Sequence, residues 1–476
     1  MIESLKNKDI EEFTNFACEY KDDFCKLYDV NNYINDLYHN ILVFKVDDKI
    51  VAFIIIENTI DEVLIMELYV TKEYRNKGIA KKLIEYIILN NDNKNRIILE
   101  VKDNNVNALN LYNKFEFKKI GIRNHYYNDH DAIVMERKCV SVDKVKILSI
   151  ESSCDETSIA IVENGKNVLS LSTNTQIDTH AKYGGVVPEL ASRMHTENIL
   201  FVLKDALEQA KMNVNDVDAI AVTYGPGLMG SLLVGVEFAK TLALLYNKPL
   251  IKVNHMIGHI YANNIESTIN YPALCMVVSG GHTELLIMEE DYKFKLLGAT
   301  LDDAIGESYD KVAKVLGVPY PGGPNIEKMA KEGSDTYNLP CPACHDDYNF
   351  SYSGLKSAVL NLVNNETMKN HVIRKNDLAC SFQNRAIDQI CRKVNKALQE
   401  YEVKDLIVAG GVSSNNYLRE ELKKVCSKYK VNLKVPSLKY CTDNAAMIGA
   451  AAYPLYLRKE FATYDLNAKS SLDIVN

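Results

Sequence analysis

The first 140 residues contain no proline and only two glycines, Gly78 and Gly121, whereas all 11 prolines and every other one of the 22 glycines come later. So abrupt a change in backbone punctuation within 476 residues excludes one uniform architecture and implies at least two domains. The join is short. Lys138 to Lys146 is polar and charged, and the strand-like run Ile147-Leu148-Ser149-Ile150 follows at once, which excludes a long disordered linker. The expected division is a domain over 1–140, a linker over 141–146 and a domain over 147–476. No apolar run reaches the length of a membrane span. The polar start lacks the basic and apolar regions of a secretory signal. The 11 cysteines are odd in number and scattered, so a disulfide framework is excluded and a reducing cytoplasm is expected. Nor is there an excess of positive charge. A net charge of −8 gives no global attraction to nucleic acid, so an RNA partner requires a local basic patch or a partner protein.

Of what is present, the most pointed stretch is Asn254-His255-Met256-Ile257-Gly258-His259. Histidines four apart on a helix lie one turn apart on one face, where both imidazoles can reach one metal ion. The plain alternative is a structural pair. A zinc-protease motif needs a glutamate after the first histidine, and Met256 stands there.

Before residue 140 the pattern is strands Ile41–Val46 and Ile50–Glu57 about the turn Asp47-Asp48-Lys49, a third strand from Val63 to Val70, the loop Tyr74-Arg75-Asn76-Lys77-Gly78-Ile79-Ala80 and a helix through Leu83, Ile84, Ile87 and Ile88. A strand, a short basic glycine-containing loop and a helix N-terminus make an anion site. The strand Arg96–Val101 and a helix from Val106 to Lys114 follow. Arg75, Gly78 and Ala80 fill the acetyl-CoA motif [Q/R]-x-x-G-x-[G/A]. With Leu99-Glu100-Val101, Asn105, Ala108-Leu109-Asn110-Leu111-Tyr112, Arg123-Asn124-His125-Tyr126-Tyr127 and Asp131-Ala132-Ile133-Val134-Met135, the region resembles the GNAT family, in particular the ribosomal-protein-alanine N-acetyltransferases. That resemblance implies an α+β GNAT fold with acetyl-CoA as cosubstrate. It implies that Leu68, Tyr69 and Val70 pair with the pantetheine arm, that Arg75, Asn76, Lys77, Gly78, Ile79 and Ala80 hold the pyrophosphate, and that Asn105 contacts the cofactor. Glu100 would be the base toward the attacking amine of a ribosomal protein, and Tyr112 the acid toward the departing thiolate. The alternatives are a strand-end carboxylate and a core aromatic. One departure is visible: Phe115-Glu116-Phe117 replaces a turn in which the family often carries glycine.

After residue 146, Ile147–Val162 reads as strand, polar turn, strand, and Ala273–Met288 repeats the design about 125 residues later, which suggests internal duplication. Leu406-Ile407-Val408-Ala409-Gly410-Gly411 is a buried-type strand ending in a glycine pair, where backbone can approach a flat ligand. Two phosphate hairpins and such a loop are the layout of the actin, Hsp70 and sugar-kinase superfamily. Two α/β lobes with an adenine nucleotide between them are therefore expected. The motifs Ser153–Thr157, Gly184–Arg193, Gly225-Pro226-Gly227, Asn254–His259, Ser279–Thr283, Asp302–Asp310, Pro321–Pro324 and Thr442–Ala446 occur in that order. Together they resemble the tRNA N6-adenosine threonylcarbamoyltransferases over residues 147–455. The resemblance implies transfer of a threonylcarbamoyl group from threonylcarbamoyl-AMP to N6 of adenosine 37 in tRNAs that read codons beginning with A. It makes His255, His259 and Asp443 the ligands of one iron or zinc ion, and places Val278, Ser279, Gly280, Gly281, His282, Asp310, Gly323, Glu327 and Asn415 around the threonylcarbamoyl-AMP. Asp155 is the candidate for proton handling, with a hydrogen-bonded hairpin carboxylate as its alternative. Asp443 could instead cap a helix Asn444–Leu455. The implied partners are tRNA, a homologous non-catalytic subunit, a small ATPase and an enzyme that makes threonylcarbamoyl-AMP.

Two further motifs are set aside. Cys341-Pro342-Ala343-Cys344-His345 matches the c-type haem signature but has no export signal before it. Ser353 and Lys356 form S-x-x-K without the SDN and KTG motifs of penicillin-binding proteins, and read as part of a cleft rim. Rival readings are an ATP-dependent chaperone or kinase, which does not need His255, His259 and Asp443; a metallopeptidase, which Met256 opposes; and an inactive GNAT module.

Overall fold

A computed structural model of the chain describes residues 2–21, 24–36, 38–47, 49–59, 61–91, 94, 96–127, 130–138, 144–341 and 347–475. The chain divides into two compact units, Met1–Lys144 and Val145–Asn476. Asp48, Ser141, Cys344 and His345 lie outside the described residues.

The first unit is built on one seven-stranded sheet. Its strands are β1 (Ile2–Ser4), β2 (His39–Val46), β3 (Lys49–Asn58), β4 (Glu62–Val70), β5 (Arg96–Lys102), β6 (Lys118–Tyr127) and β7 (His130–Lys138), in the order β1-β2-β3-β4-β5-β7-β6. Every strand read from the sequence is present, lengthened by a residue or two. Apolar residues alternate to the two faces. Ile54, Ile56, Val63 and Ile65 face Leu83, Ile84 and Ile87 of the helix Ile79–Asn90. Val43, Phe53 and Ile55 pack with Phe13, Ala17 and Phe24 on the other side. Among the described residues only β4 and β5 are parallel neighbours in this sheet, and their pairing stops at Ile65↔Leu99. At that point the β3–β4 register slips, with Ile55 opposite Glu67 and Ile56 opposite Ile65, so Met66 is an inserted residue. A bulge bends a strand, and here β4 leaves β5 as it bends.

The second unit contains two five-stranded sheets. One is formed by β8 (Lys146–Glu151), β9 (Glu156–Glu163), β10 (Asn167–Thr175), β11 (Ala219–Gly225) and β12 (Leu250–Asn254). The other is formed by β13 (Ala273–Val278), β14 (Thr283–Glu290), β15 (Lys293–Ala299), β16 (Asp405–Ala409) and β17 (Asn432–Lys434). The orders are β10-β9-β8-β11-β12 and β15-β14-β13-β16-β17. In each sheet two antiparallel pairings precede two parallel ones. The duplication expected from the two hairpins is thus a duplication of whole sheets. The central strands β13 and β16 are buried along their full length, as strands covered on both faces must be. Between the sheets lie the helices His255–Glu266 and Ala445–Leu457, sharing one core with Ile147 and Val162 of the first sheet and Cys275 and Val277 of the second. Ala445–Leu457 is apolar on every side, and its residues Ala445 to Ala452 are buried all round, with exposure only toward the C-terminal end at Leu457. Gly258 sits where the two helices cross; a Cβ there would lie 2.8 Å from Ile448 Cδ1.

Candidate active sites

The chain arriving along β12 turns into the helix His255–Glu266 at Asn254, whose Oδ1 accepts from Met256 N at 2.8 Å and Ile257 N at 3.3 Å. This cap satisfies amides that a helix start leaves free. It brings His255 and His259, both buried, onto one face, with ring centroids 4.7 Å apart. Their Nε2 atoms approach a single oxygen, Asp443 Oδ1, at 3.4 Å and 3.1 Å respectively. The alternative role of Asp443, as a helix cap, is not the one it takes. Asn444 is the cap, accepting from Met447 N at 3.1 Å, and the helix is Ala445–Leu457. Asp443 therefore stands one residue before the cap, with its carboxylate turned to the histidines.

The three donors fit a catalytic ion. Their ligand atoms lie within 4.8 Å of one another, and two imidazoles with one carboxylate leave positions open on iron or zinc. Behind His255, Nδ1 lies 3.0 Å from Glu151 Oε2 and 3.1 Å from Ser153 Oγ. A carboxylate behind a ligating imidazole is the usual support of a metal site. His259 Nδ1 is buried without a hydrogen-bond partner among the described residues. Burial alone would raise the Asp443 carboxyl, but the charge of His255 and hydrogen bonds from both histidines hold it well below the usual range. Glu151 is not singled out by the sequence, and Ser153 only as the first residue of the motif Ser153–Thr157. Both stand in the Ile147–Val162 run, about 100 residues from the histidines, and no spacing rule links them.

The turn between β8 and β9 carries Asp155, which is buried, with Oδ2 unpartnered among the described residues. The equivalent turn between β13 and β14 carries Ser279–His282, closed by Ser279 Oγ accepting from His282 N at 3.0 Å. Val278 ends β13, and Gly280 and Gly281 have open space where a Cβ would stand. Burial, then the charges of His255 and His259, push His282 down to about 4. The second turn therefore lies within electrostatic reach of the two histidines. Asp310 Oδ1 accepts from Gly322 N at 2.7 Å, holding the start of the helix Gly322–Glu332. Burial raises its carboxyl despite that bond and one from Gly323, and Asp155 adds to the rise. Gly323 is open at the same helix start. Glu327 Oε1 accepts from Asn416 N at 3.1 Å and Asn416 Nδ2 at 2.9 Å. Asn415 is committed on both sides: its Oδ1 caps Leu418 N at 2.9 Å and its Nδ2 donates to Gln383 Oε1 at 2.9 Å. Ser353 donates to Asp302, and Lys356 pairs with Asp303, so the S-x-x-K residues tie a loop down rather than form a nucleophile site. Cys341 is exposed, and the haem-like motif beyond it lies outside the described residues.

In the first unit, Leu68, Tyr69 and Val70 end β4 beyond the point where it leaves β5, so the pairing edge toward β5 is released there. Arg75 Nε donates back to Val70 O at 3.0 Å. Asn76 and Gly78 adopt φ of 62° and 77°. Lys77 lies between them, and Ile79 and Ala80 open the helix, presenting free amides at its start. Glu100 is the first residue of β5 after the split, with Oε1 3.1 Å from Arg123 Nε. Asn105 Oδ1 caps Ala108 N at 3.2 Å, at the head of the helix Val106–Lys114. Tyr112, on that helix, is buried with its ring centroid 5.6 Å from that of Phe117. The unusual turn after it is accommodated by Glu116 itself, which takes the left-handed φ of 62° that glycine takes at lower cost.

Known proteins match both parts of the chain. Residues 167–450 match the family model of tRNA N6-adenosine threonylcarbamoyltransferase. A protein of that name from Staphylococcus carnosus (strain TM300) is 50% identical over 329 residues, covering 69% of this chain and 96% of the relative. The chain belongs to the tRNA N6-adenosine threonylcarbamoyltransferase family. A second relative with the same name, from Staphylococcus aureus (strain N315), is 49% identical over 331 residues, covering 69% of this chain and 97% of its own. Residues 38–119 match the acetyltransferase (GNAT) domain, so an acyltransferase domain of a second kind precedes the family's own. Among solved structures, the ribosomal-protein-S18-alanine N-acetyltransferase from Escherichia coli covers 29% of this chain and 93% of its own at 23% identity, with a TM-score of 0.26. Full-length HypF in its phosphate- and nucleotide-bound form covers 66% of this chain and 46% of its own at 14% identity, with a TM-score of 0.46. No helix among the described residues is long and apolar enough to cross a membrane.

Proposed function

We propose that the chain is a bifunctional acyltransferase of the translation apparatus. The Val145–Asn476 unit transfers the threonylcarbamoyl group from threonylcarbamoyl-AMP to N6 of adenosine 37 in tRNAs reading codons that begin with A. The observation that carries this reading is the approach of His255 Nε2 and His259 Nε2 to one oxygen of Asp443, beside the two hairpin turns. His255, His259 and Asp443 hold the iron or zinc ion, which when bound supplies Lewis-acid polarisation of the threonylcarbamoyl group. Val278, the turn Ser279–His282, Asp310, Gly323, Glu327 and Asn415 bind the nucleotide. The exocyclic amine of the adenosine attacks the carbamoyl carbon, a carbon–nitrogen bond forms, the bond to the phosphate oxygen breaks and AMP leaves. Asp155 accepts the amine proton. An aryl amine is a weak nucleophile, so positioning contributes a large part of the rate. A homologous non-catalytic subunit, a small ATPase and a separate source of threonylcarbamoyl-AMP complete the system.

The Met1–Lys144 unit acetylates the N-terminal alanine of a small-subunit ribosomal protein. The released edge at Leu68–Val70 takes the pantetheine arm, and the amides at Gly78–Ala80 take the pyrophosphate. Glu100 removes a proton from the ammonium through water, the amine attacks the thioester carbon, and Tyr112 protonates the leaving thiolate. The test is nucleoside analysis of tRNA from cells depleted of the protein. Loss of threonylcarbamoyl-adenosine is expected, and an unchanged content would refute the reading.

A further inference from the structure

Glu151 ends β8 and is completely buried, a position a carboxylate occupies only when its lone pairs are met. It accepts from three donors. Ser153 N donates to Oε1 at 2.6 Å, Thr223 Oγ1 donates to Oε2 at 2.6 Å, and His255 Nδ1 lies 3.0 Å from the same Oε2. Thr223, also buried, anchors the carboxylate from the neighbouring strand β11, so two strands fix it. Ser153 Oγ flanks the same imidazole nitrogen at 3.1 Å. Such a bond sets both the tautomer and the rotation of the ring. With oxygens at Nδ1, the ring presents Nε2 to Asp443. His259 differs, because its Nδ1 has no partner among the described residues.

We propose that Glu151 is the positioning residue of the metal site: it locks the His255 ring with Nε2 toward Asp443, so that metal affinity depends on a side chain that is not a ligand. The inference rests on reading His255, His259 and Asp443 as metal ligands. It goes beyond that reading in placing control of the site on β8 and β11, outside both the ligand set and the nucleotide-binding residues. A carboxylate is required. Glutamine has one acceptor oxygen, so its amide nitrogen would confront either Ser153 N–H or the Thr223 and His255 donors.

The experiment uses the full chain stripped of metal. Zn²⁺ alone is titrated in competition with a chromophoric chelator, and the d–d absorption of bound Co²⁺ is recorded in parallel. Glu151→Gln is expected to weaken Zn²⁺ binding about 10- to 100-fold and to alter the Co²⁺ spectrum, with the far-ultraviolet circular dichroism unchanged. A carboxylate that only stitched the hairpin would leave both metal readouts untouched, and wild-type affinity in Glu151→Gln would overturn the proposal. Should Glu151→Gln fail to fold, Thr223→Val decides. It removes the second donor on Oε2 while keeping the carboxylate, and its affinity should fall in the same direction; a wild-type value overturns the proposal. Wild-type protein that binds neither ion would refute the metal reading itself, and this inference with it, an outcome distinct from equal binding by wild type and variant.

Discussion

Asn444, and not the neighbouring Asp443, caps the helix Ala445–Leu457, through Oδ1 to Met447 N at 3.1 Å. Two adjacent polar residues thereby divide two tasks. One satisfies the helix start, and the other is left with its carboxylate toward His255 and His259. Asn444→Ala is expected to lower the stability of the unit by about 1–2 kcal/mol, the usual cost of a lost cap, while the capacity to bind the metal remains. Chemical denaturation and metal analysis of the purified variant check this. Metal loss without destabilisation would reverse the assignment.

Glu100 and Arg123 form an ion pair of 3.1 Å at the place where β4 and β5 part. Expressed alone, residues 1–144 should bind acetyl-CoA and acetylate a peptide bearing the ribosomal protein's N-terminus. Glu100→Gln should slow turnover by about 100-fold, the scale of a lost general base, with acetyl-CoA affinity retained. Calorimetry and a turnover assay on the same samples separate the two effects. Absence of acetyl-CoA binding in the wild-type unit would reduce it to a relic.

Burial and the nearby Asp473 push the Glu284 carboxyl up to about 7. A carboxyl that binds its proton more tightly when folded favours the folded state at low pH. That contribution is complete below the ordinary value of 4.5 and is lost as pH rises through about 7. Glu284→Gln keeps a neutral side chain throughout. Its stability relative to wild type should therefore rise between pH 4.5 and 7, reaching about 1–3 kcal/mol in its favour. Denaturant titrations across that interval measure the difference, and a constant difference would contradict the account.

Much of this was legible in the chain because periodicity and spacing are local. The run Ala273–Met288 shows its hairpin directly, and the interval between His255 and His259 shows a shared helical face. The β8–β9 and β13–β14 hairpins even disclosed the duplication, although the matching parallel strands β11, β12, β16 and β17 lie too far along the chain to be paired by inspection. What stayed hidden depends on contacts between distant segments. Glu151 meets His255 across 104 positions, and Asn415 meets Gln383 across 32. The parting of β4 from β5 depends on a bulge at Met66, which no residue type in the stretch announces. The cap was displaced by one residue because aspartate and asparagine serve equally well by type, and only the fold decides which is used.

A catalytic metal centre for tRNA modification, held by His255, His259 and Asp443, is what the proposed function stands on. The most direct test measures metal content, adenine-nucleotide affinity and threonylcarbamoyl-adenosine yield together on purified His255→Ala and Asp443→Ala, with the partner proteins and tRNA supplied. Each variant should fold, lose metal affinity by orders of magnitude, keep its nucleotide and form no modified nucleoside. Variants that lose the metal yet modify tRNA at the wild-type rate would make the metal structural and leave the transfer without it.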